Sequence, residues 1–246
     1  MRRLWMSALL APVVALTVPA VALAASSAPA ASSAPARPAT SAAAGKGIQL
    51  GAGGLSTREL QRRLAALKYY PGPIDGIFGA DTLEAVWAFQ EVQGLPGEDF
   101  VSAAMVRALA HPRAPRVLDR AAGANRIEIN LAAEVLVLYH NNQVELISHV
   151  STGGGYYYCS PGGGCGYAYT PTGNFATVVF EPGWVTVPLG QMYNPVFFVG
   201  TAYAIHGDTY VPLAPVSHGC IRIPMDIAAF FHTLVKIPGE PVIVRN

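Results

Sequence analysis

The chain has 246 residues, 52% of them hydrophobic and only 13% charged, with a formal net charge of +1. That is enough apolar material for one full core and a smaller one. The Lys and Arg residues are scattered and form no clustered basic face, so they read as solvated surface and exclude a nucleic-acid footprint.

The chain opens with Arg2 and Arg3, an apolar stretch from Leu4 to Leu23 and the small-x-small sequence Ala22-Leu23-Ala24. This is the pattern of a secretory signal, so residues 1–24 are expected to direct export and be removed. The alternative is an uncleaved membrane anchor, the only case in which a membrane contact persists; Pro12 and Pro19 weigh against it. Residues 25–52 form a linker, almost wholly Ala, Ser, Pro and Thr as far as Lys46. Such a segment buries too little apolar surface to offset its ordering entropy and is expected to be a disordered tether.

Residues 53–110 read as helical. Leu60, Leu64 and Leu67 recur at helical spacing, as do Leu83, Val86, Phe89 and Gln90. Ser56 with Glu59 is a capping-box signature for the first helix. The stretch from Pro71 to Gly79 is a stiff, glycine-bent turn, after which Asp81 or Thr82 opens a second helix. A third begins near Asp99, with Met105 and Leu109 facing inward. Periodicity alone supports a small bundle and identifies no pocket. Residues 111–124, rich in Pro, Arg and Ala, read as a linker.

From Asn125 onward the period shortens. Ile127, Ile129 and Leu131 alternate with polar residues, Val135 to Tyr139 is a β-rich run, and Asn141-Asn142 is a turn before Val144, Leu146 and Ile147. Further runs lie at Phe175 to Phe180, Phe197 to Ile205 and Val242 to Val244, and only Ile227 to Val235 looks helical. Residues 125–246 are therefore expected to be a mostly-β domain, a sandwich or mixed sheets.

The cysteines are Cys159, Cys165 and Cys220. In an oxidising compartment an odd number reads as one disulfide and one free thiol. The turn-rich segment between Cys159 and Cys165 brings its ends within disulfide range, which leaves Cys220 over; three unrelated thiols remain the alternative. Cys220 lies in Ser217-His218-Gly219-Cys220-Ile221-Arg222, downstream of Ala204-Ile205-His206-Gly207-Asp208. A thiol needs a base to become a strong nucleophile, and an imidazole can take its proton. Gly219 would let the backbone turn N–H groups toward a developing oxyanion. His206, Asp208, His218 and Cys220 are also zinc-ligand types, which makes a zinc hydrolase the rival chemistry, although their spacing matches no metal signature. Asp208 reads as a solvated carboxylate, and His111, His140, His149 and His232 have no motif context.

Two resemblances sharpen this reading. Leu60-Gln61-x-x-Leu64, the turn Gly72-Pro73-Ile74-Asp75-Gly76-Ile77-Phe78-Gly79 and Ala85-Val86-x-Ala88-Phe89-Gln90 resemble the peptidoglycan-binding domain 1 type. That implies a three-helix module docking on wall glycan or stem peptide, with Asp75 and Phe78 as binding candidates. Ser151-Thr152-Gly153, Thr170-Pro171-Thr172-Gly173-x-Phe175, Ala204-Ile205-His206-Gly207 and the block from Ser217 to Arg222 resemble the L,D-transpeptidase catalytic domain of the YkuD type. The fold class so implied is multidomain α + β, a small helical bundle before a mostly-β catalytic domain.

This second resemblance implies Cys220 as nucleophile and His206 as base, with the Gly207 carbonyl orienting the imidazole. It makes His218 a substrate-side histidine, gives the oxyanion hole to the N–H groups of Gly219 and Cys220, and makes Arg222, Ser217 and Tyr193 substrate contacts. It implies no metal or organic cofactor. The partners are peptidoglycan stem peptides and glycan, met outside the cell membrane. The implied reaction is 3→3 cross-linking through a thioester. Carboxypeptidase trimming, or a non-catalytic wall-binding protein, is the alternative. Between Gly153 and Thr170 the chain is longer and more aromatic than the family spacing, and a disulfide-pinned hairpin bordering the active site is expected there.

Overall fold

The computed structural model describes residues 47–49, 51–161 and 163–246. The expected signal segment and most of the tether lie outside the described residues. No described helix is long and apolar enough to cross a membrane.

Three helices come first: α1 (Leu55–Ala66), α2 (Ala80–Gln93) and α3 (Ala103–Ala110). Leu60, Leu64, Phe78, Leu83, Val86, Phe89 and Met105 close their core. The expected capping box does not form. The N-cap is Gly54, which makes no side-chain cap, so Ser56 and Glu59 already lie inside the helix. The reason is the incoming chain, which pairs with the turn: Gly51 N–H donates to Phe78 O, Phe78 N–H to Ala52 O and Gly54 N–H to Gly76 O, all within 2.9 Å. Residue 54 is thereby held at φ +114°, where only glycine is relaxed. The described end of the predicted tether is thus hydrogen-bonded into the module. Gln61, buried, ties α1 to the same turn, accepting from Gly76 N–H at 2.8 Å and donating to Thr82 Oγ1 at 3.1 Å.

The strands are β1 (Arg126–Asn130), β2 (Val135–His140), β3 (Gln143–His149), β4 (Tyr157–Cys159), β5 (Cys165–Tyr167) and β6 (Gly173–Ala176). They continue with β7 (Val179–Phe180), β8 (Trp184–Val187), β9 (Gly190–Val199), β10 (Tyr203–Gly207), β11 (Ile221–Ile223) and, after helix α4 (Met225–Leu234), β12 (Pro241–Arg245). One sheet has the order β3-β2-β1-β12-β6; the other runs β11-β10-β9-β7, with β8 also on β9. The pairs β1–β12 and β10–β11 are parallel. The fold is that of a helical unit followed by mixed sheets, as expected.

The apolar run of β2 is explained by what covers it. Leu136 and Leu138 face the core between the two sheets, with Ile127, Ile129, Val196, Phe198, Ile205 and Ile221. Val135, Val137 and Tyr139 point the other way, into the core of the helical module. A strand buried on both faces loses its polar alternation. The connector from 111 to 124 is held at both ends: Gln93 exchanges two hydrogen bonds with the Arg113 backbone, and Glu128 accepts from Leu118 N–H at 2.7 Å. The described residues form one compact unit.

At the seam lies a buried ion pair. Arg126 Nε donates to Glu128 Oε1 at 2.6 Å, and the guanidinium sits 4.0 Å from the centre of the Tyr139 ring. Removing one partner leaves an uncompensated buried charge. Glu128→Ala should therefore lower unfolding free energy by about 3–5 kcal/mol in denaturant titration, far more than loss of an exposed pair such as Lys68–Glu145.

Candidate active site

The parallel register of β10 and β11 sets Ile205 opposite Ile221 and His206 opposite Arg222. Side chains alternate across a strand. Ile205, Ile221 and Ile223 go into the core between the sheets, so Ala204, His206, Cys220 and Arg222 share the opposite face. His206 and Cys220 are then diagonal neighbours across the ladder, a separation that side chains span. Both line a cleft of about 410 Å³. Leu189 and Gln191, from the β8–β9 hairpin, and Tyr158 and Ser160, from the β4–β5 hairpin, line it as well.

His206 is buried, and its Nδ1 lies 2.9 Å from the Gly207 carbonyl oxygen. A carbonyl only accepts, so Nδ1 carries the proton and Nε2 keeps its lone pair. Burial pushes the imidazole pKa down and the Cys220 thiol pKa up. The resting pair is therefore a neutral thiol and a neutral imidazole. Gly207 also makes room: a Cβ there would come 2.7 Å from Ala228 Cβ and 3.2 Å from the Tyr193 ring.

The turn before Cys220 is closed on itself. Gly219 N–H donates to Ser217 Oγ at 3.0 Å, and the Ser217 hydroxyl donates to Cys220 O. This corrects the expected oxyanion hole, because the Gly219 N–H is spent inside the turn. Ser217 accordingly braces the turn; it also lines the cleft. Thr170 accepts from Gly153 N–H at 2.9 Å and donates to Gly219 O at 2.8 Å, a bracing role not readable from the motif alone. Gly219 sits at φ +129°, and a Cβ there would come 2.6 Å from the Tyr203 ring and 2.8 Å from Tyr169 O. Ser151 pairs with Arg222 and Gly153 with Ser217, which fastens the whole segment to the end of β3.

Arg222 Nε lies 3.1 Å from Asp208 Oδ2. Asp208 is thus a partner of Arg222 rather than a free solvated carboxylate. His218 lines the cleft and meets the edges of Tyr156 and Tyr158, with ring centres 5.4 and 4.8 Å away. Burial, then the Arg222 charge, lowers its pKa. The expected disulfide joins Cys159 and Cys165 across the β4–β5 hairpin, and Cys220 is free. The hairpin does border the cleft.

Three expected contacts are placed elsewhere. Tyr193 does not line the cleft: Asn194, at φ +47°, bulges β9, so Met192 and Phe197 face the cleft side while Tyr193 packs on Trp184 and the core. Phe78 is completely buried in the module and offers no binding surface. Asp75 is exposed, but its Oδ1 accepts from Gln61 Nε2 at 3.0 Å and Ile77 N–H at 2.8 Å, which holds its carboxyl below the usual range. It builds the turn.

His206, Asp208, His218 and Cys220 do not gather as a ligand set. Among the described residues the one group of three potential metal ligands is Asp81, Glu84 and Asp226, outside the cleft. Burial and mutual repulsion raise Glu84 to about 8 and Asp226 to about 6.

With this geometry the class is an L,D-transpeptidase catalytic domain preceded by a peptidoglycan-binding module. The L,D-transpeptidase catalytic domain model (YkuD) matches residues 124–244, and the PG_binding_1 peptidoglycan binding domain model matches residues 53–99. The crystal structure of an L,D-transpeptidase from Xylanimonas cellulosilytica is similar, with 31% identity, a TM-score of 0.76, and 82% of this chain and 98% of that one covered. The chain belongs to the L,D-transpeptidase family. Weaker likenesses are to L,D-transpeptidases from Stackebrandtia nassauensis (18% identity, 82% and 96% covered, TM-score 0.46) and Mycobacterium smegmatis (22%, 50% and 59%, TM-score 0.40), and the assignment does not rest on them. Among curated proteins none matches the chain.

One histidine without motif context proves structural. His149 Nδ1 lies 2.8 Å from Glu91 Oε1 on α2, and its Nε2 lies 3.1 Å from Val211 O and 3.2 Å from Pro212 O. Nε2 faces carbonyl oxygens and so carries a proton, while a second proton is held between Nδ1 and the Glu91 carboxyl; the ring joins the helical module to the loop between β10 and β11. Burial pushes His149 down, but the Glu91 hydrogen bond and charge outweigh it and leave its pKa raised; burial pushes Glu91 up to about 7. Both groups bind protons more tightly in the folded state, so their stabilisation is present at low pH and lost as pH rises through the folded values. The unfolding midpoint should fall between about pH 5 and 8, and a Glu91→Gln/His149→Gln double variant should flatten that slope. An unchanged slope would show that the pair does not titrate in this way.

Proposed function

We propose that this chain forms 3→3 cross-links between peptidoglycan stem peptides through a thioester on Cys220, outside the cytoplasmic membrane. The observation that supports the reading is the shared face of β10 and β11, from which a free thiol and an imidazole with an Nε2 lone pair line the same cleft. His206 Nε2 takes the thiol proton as Cys220 Sγ attacks the carbonyl carbon of the third stem residue. The tetrahedral oxyanion is met by the Cys220 N–H. The terminal D-alanine leaves with the proton from His206, and the thioester remains. An amine from a second stem attacks the thioester carbonyl, His206 accepts its proton, and the thiol is reprotonated as the new amide forms.

The remaining residues suit this chemistry. Arg222, positioned by Asp208, offers a cation to a stem-peptide carboxylate. His218, held between two tyrosine edges, stands on the substrate side of the nucleophile. Export is supported by the signal pattern of residues 1–24 and by the Cys159–Cys165 disulfide, a bond that persists in oxidising compartments.

Incubating the purified mature chain with disaccharide-tetrapeptide and separating the products by mass tests the proposal. Cross-linked dimers absent from a Cys220→Ser control are expected, with turnover lower by at least about 10³-fold in that control. Tripeptide without dimers would make the chain a carboxypeptidase. Products formed equally by Cys220→Ser would overturn the thioester route.

A further inference from the structure

The β4–β5 hairpin has a second face that the cleft does not use. Tyr156 and Tyr158 turn inward onto His218, while Tyr157, Tyr167 and Tyr169 turn outward and are 63%, 61% and 60% exposed. Single exposed aromatics are ordinary, but these three are contiguous. Tyr157 meets Tyr167 with ring centres 5.3 Å apart, and Tyr167 stacks on Tyr169 at 5.7 Å. The disulfide lies on the same face: Cys159 pairs with Cys165 two positions along from the pair Tyr157–Tyr167. It holds the two strands, and so the row of rings, in place before any ligand arrives.

The row is continuous with the active site. A Cβ on Gly219 would come 2.8 Å from the Tyr169 carbonyl oxygen, so Tyr169 lies against the turn that carries Cys220. The surface is also uncharged: no Asp, Glu, Lys or Arg occurs from Val150 to Phe180. That composition disfavours an ionic partner and suits a neutral, polyhydroxylated one. Pyranose rings present C–H faces that stack on aromatic rings, while their hydroxyl and acetamido groups reach phenolic oxygens. A stem peptide bound in the cleft brings such rings with it. Its third residue lies at Cys220 and its first is bonded to a sugar, so the glycan stands about three extended residues, or about 10 Å, from the sulfur.

We propose that Tyr157, Tyr167 and Tyr169 form a platform that stacks the sugar rings of the glycan strand whose stem peptide occupies the cleft. This inference rests on the proposed transpeptidase reading and adds to it a second, non-peptide contact that positions the polymer.

The test uses the full mature chain and, as probe, wall glycan strands stripped of their stem peptides. Binding is read as glycan-dependent protection of residues 156–169 from amide exchange, which separates it from glycan held by the helical module, and is compared for wild type, Y157S/Y167S/Y169S and Y157F/Y167F/Y169F. The serine variant should bind at least about tenfold more weakly, while the phenylalanine variant, which keeps the rings, should stay within about threefold of wild type. Equal binding by the serine variant and wild type would overturn the platform, as would an equal loss in both variants. Wild-type self-association abolished by the serine substitutions, with glycan binding unchanged, would make the face a contact between copies and also overturn it. Turnover of free tetrapeptide is read in the same preparations. A wild type inactive there counts against the catalytic proposal, and the glycan titration still decides the platform.

Discussion

The parallel pairing of β10 with β11 is the constraint on which the site depends. The core takes Ile205, Ile221 and Ile223 on one face of this ladder, and that burial forces His206, Cys220 and Arg222 onto the other. A parallel pair cannot be closed by a tight hairpin and needs a crossover. Here the crossover, from Asp208 to Cys220, is not a helix, so its backbone cannot satisfy itself and must be held from outside. Ser151, Thr152, His149, Thr170 and Ser217 do this, and all are buried although polar. Ser151 Oγ donates to Ala214 O and accepts from Val216 N–H, and Glu134 in turn fixes Thr152 through its backbone N–H and its hydroxyl. The polar residues around Cys220 are thus the supports of an irregular loop.

The helical module shares in this support. It covers the outer face of β2 and β3 with a common apolar core, and through Glu91 and His149 it reaches the same crossover. The helical module is therefore packed continuously with the loop that leads to Cys220. Electrostatically the cleft is nearly neutral: burial disfavours the charged forms of thiol and imidazole, and the Arg222 cation is paired with Asp208. In the proposed reaction, proton transfer then accompanies attack instead of preceding it.

Much of this was legible in the sequence, and the reasons for the rest are local. The disulfide, and the blocks that bring His206 and Cys220 to one cleft, lie in short stretches of consecutive residues. The period of α1 and α2 reported which faces are buried, whereas the polar residues that alternate along β1, Arg126 and Glu128, are buried as an ion pair. Tyr193 was misread because a single bulge at Asn194 reverses side-chain parity along β9, and nothing in Tyr193-Asn194-Pro195 states the register. Phe78 sits in an exposed-looking turn, yet closes the module core. The capping box lost to the incoming strand-like segment at Gly51 to Gly54, a tertiary contact outside the motif. His149 and Glu91 are 58 positions apart, and only folding brings them together. The continuous apolar run of β2 read only as a strand, because the helices that cover its second face are far away in sequence.

The measurement closest to the centre of this account is the single-turnover rate at which a tetrapeptide stem acylates the protein, followed by intact mass across pH with the adduct mapped to its residue. A neutral Cys220–His206 pair predicts an adduct on Cys220 whose rate rises with pH through the lowered His206 pKa, below about 6.5, and does not fall between about pH 7 and 9. A rate that declines across that interval would indicate a preformed thiolate–imidazolium pair and contradict the account, and an adduct elsewhere than Cys220 would contradict it outright.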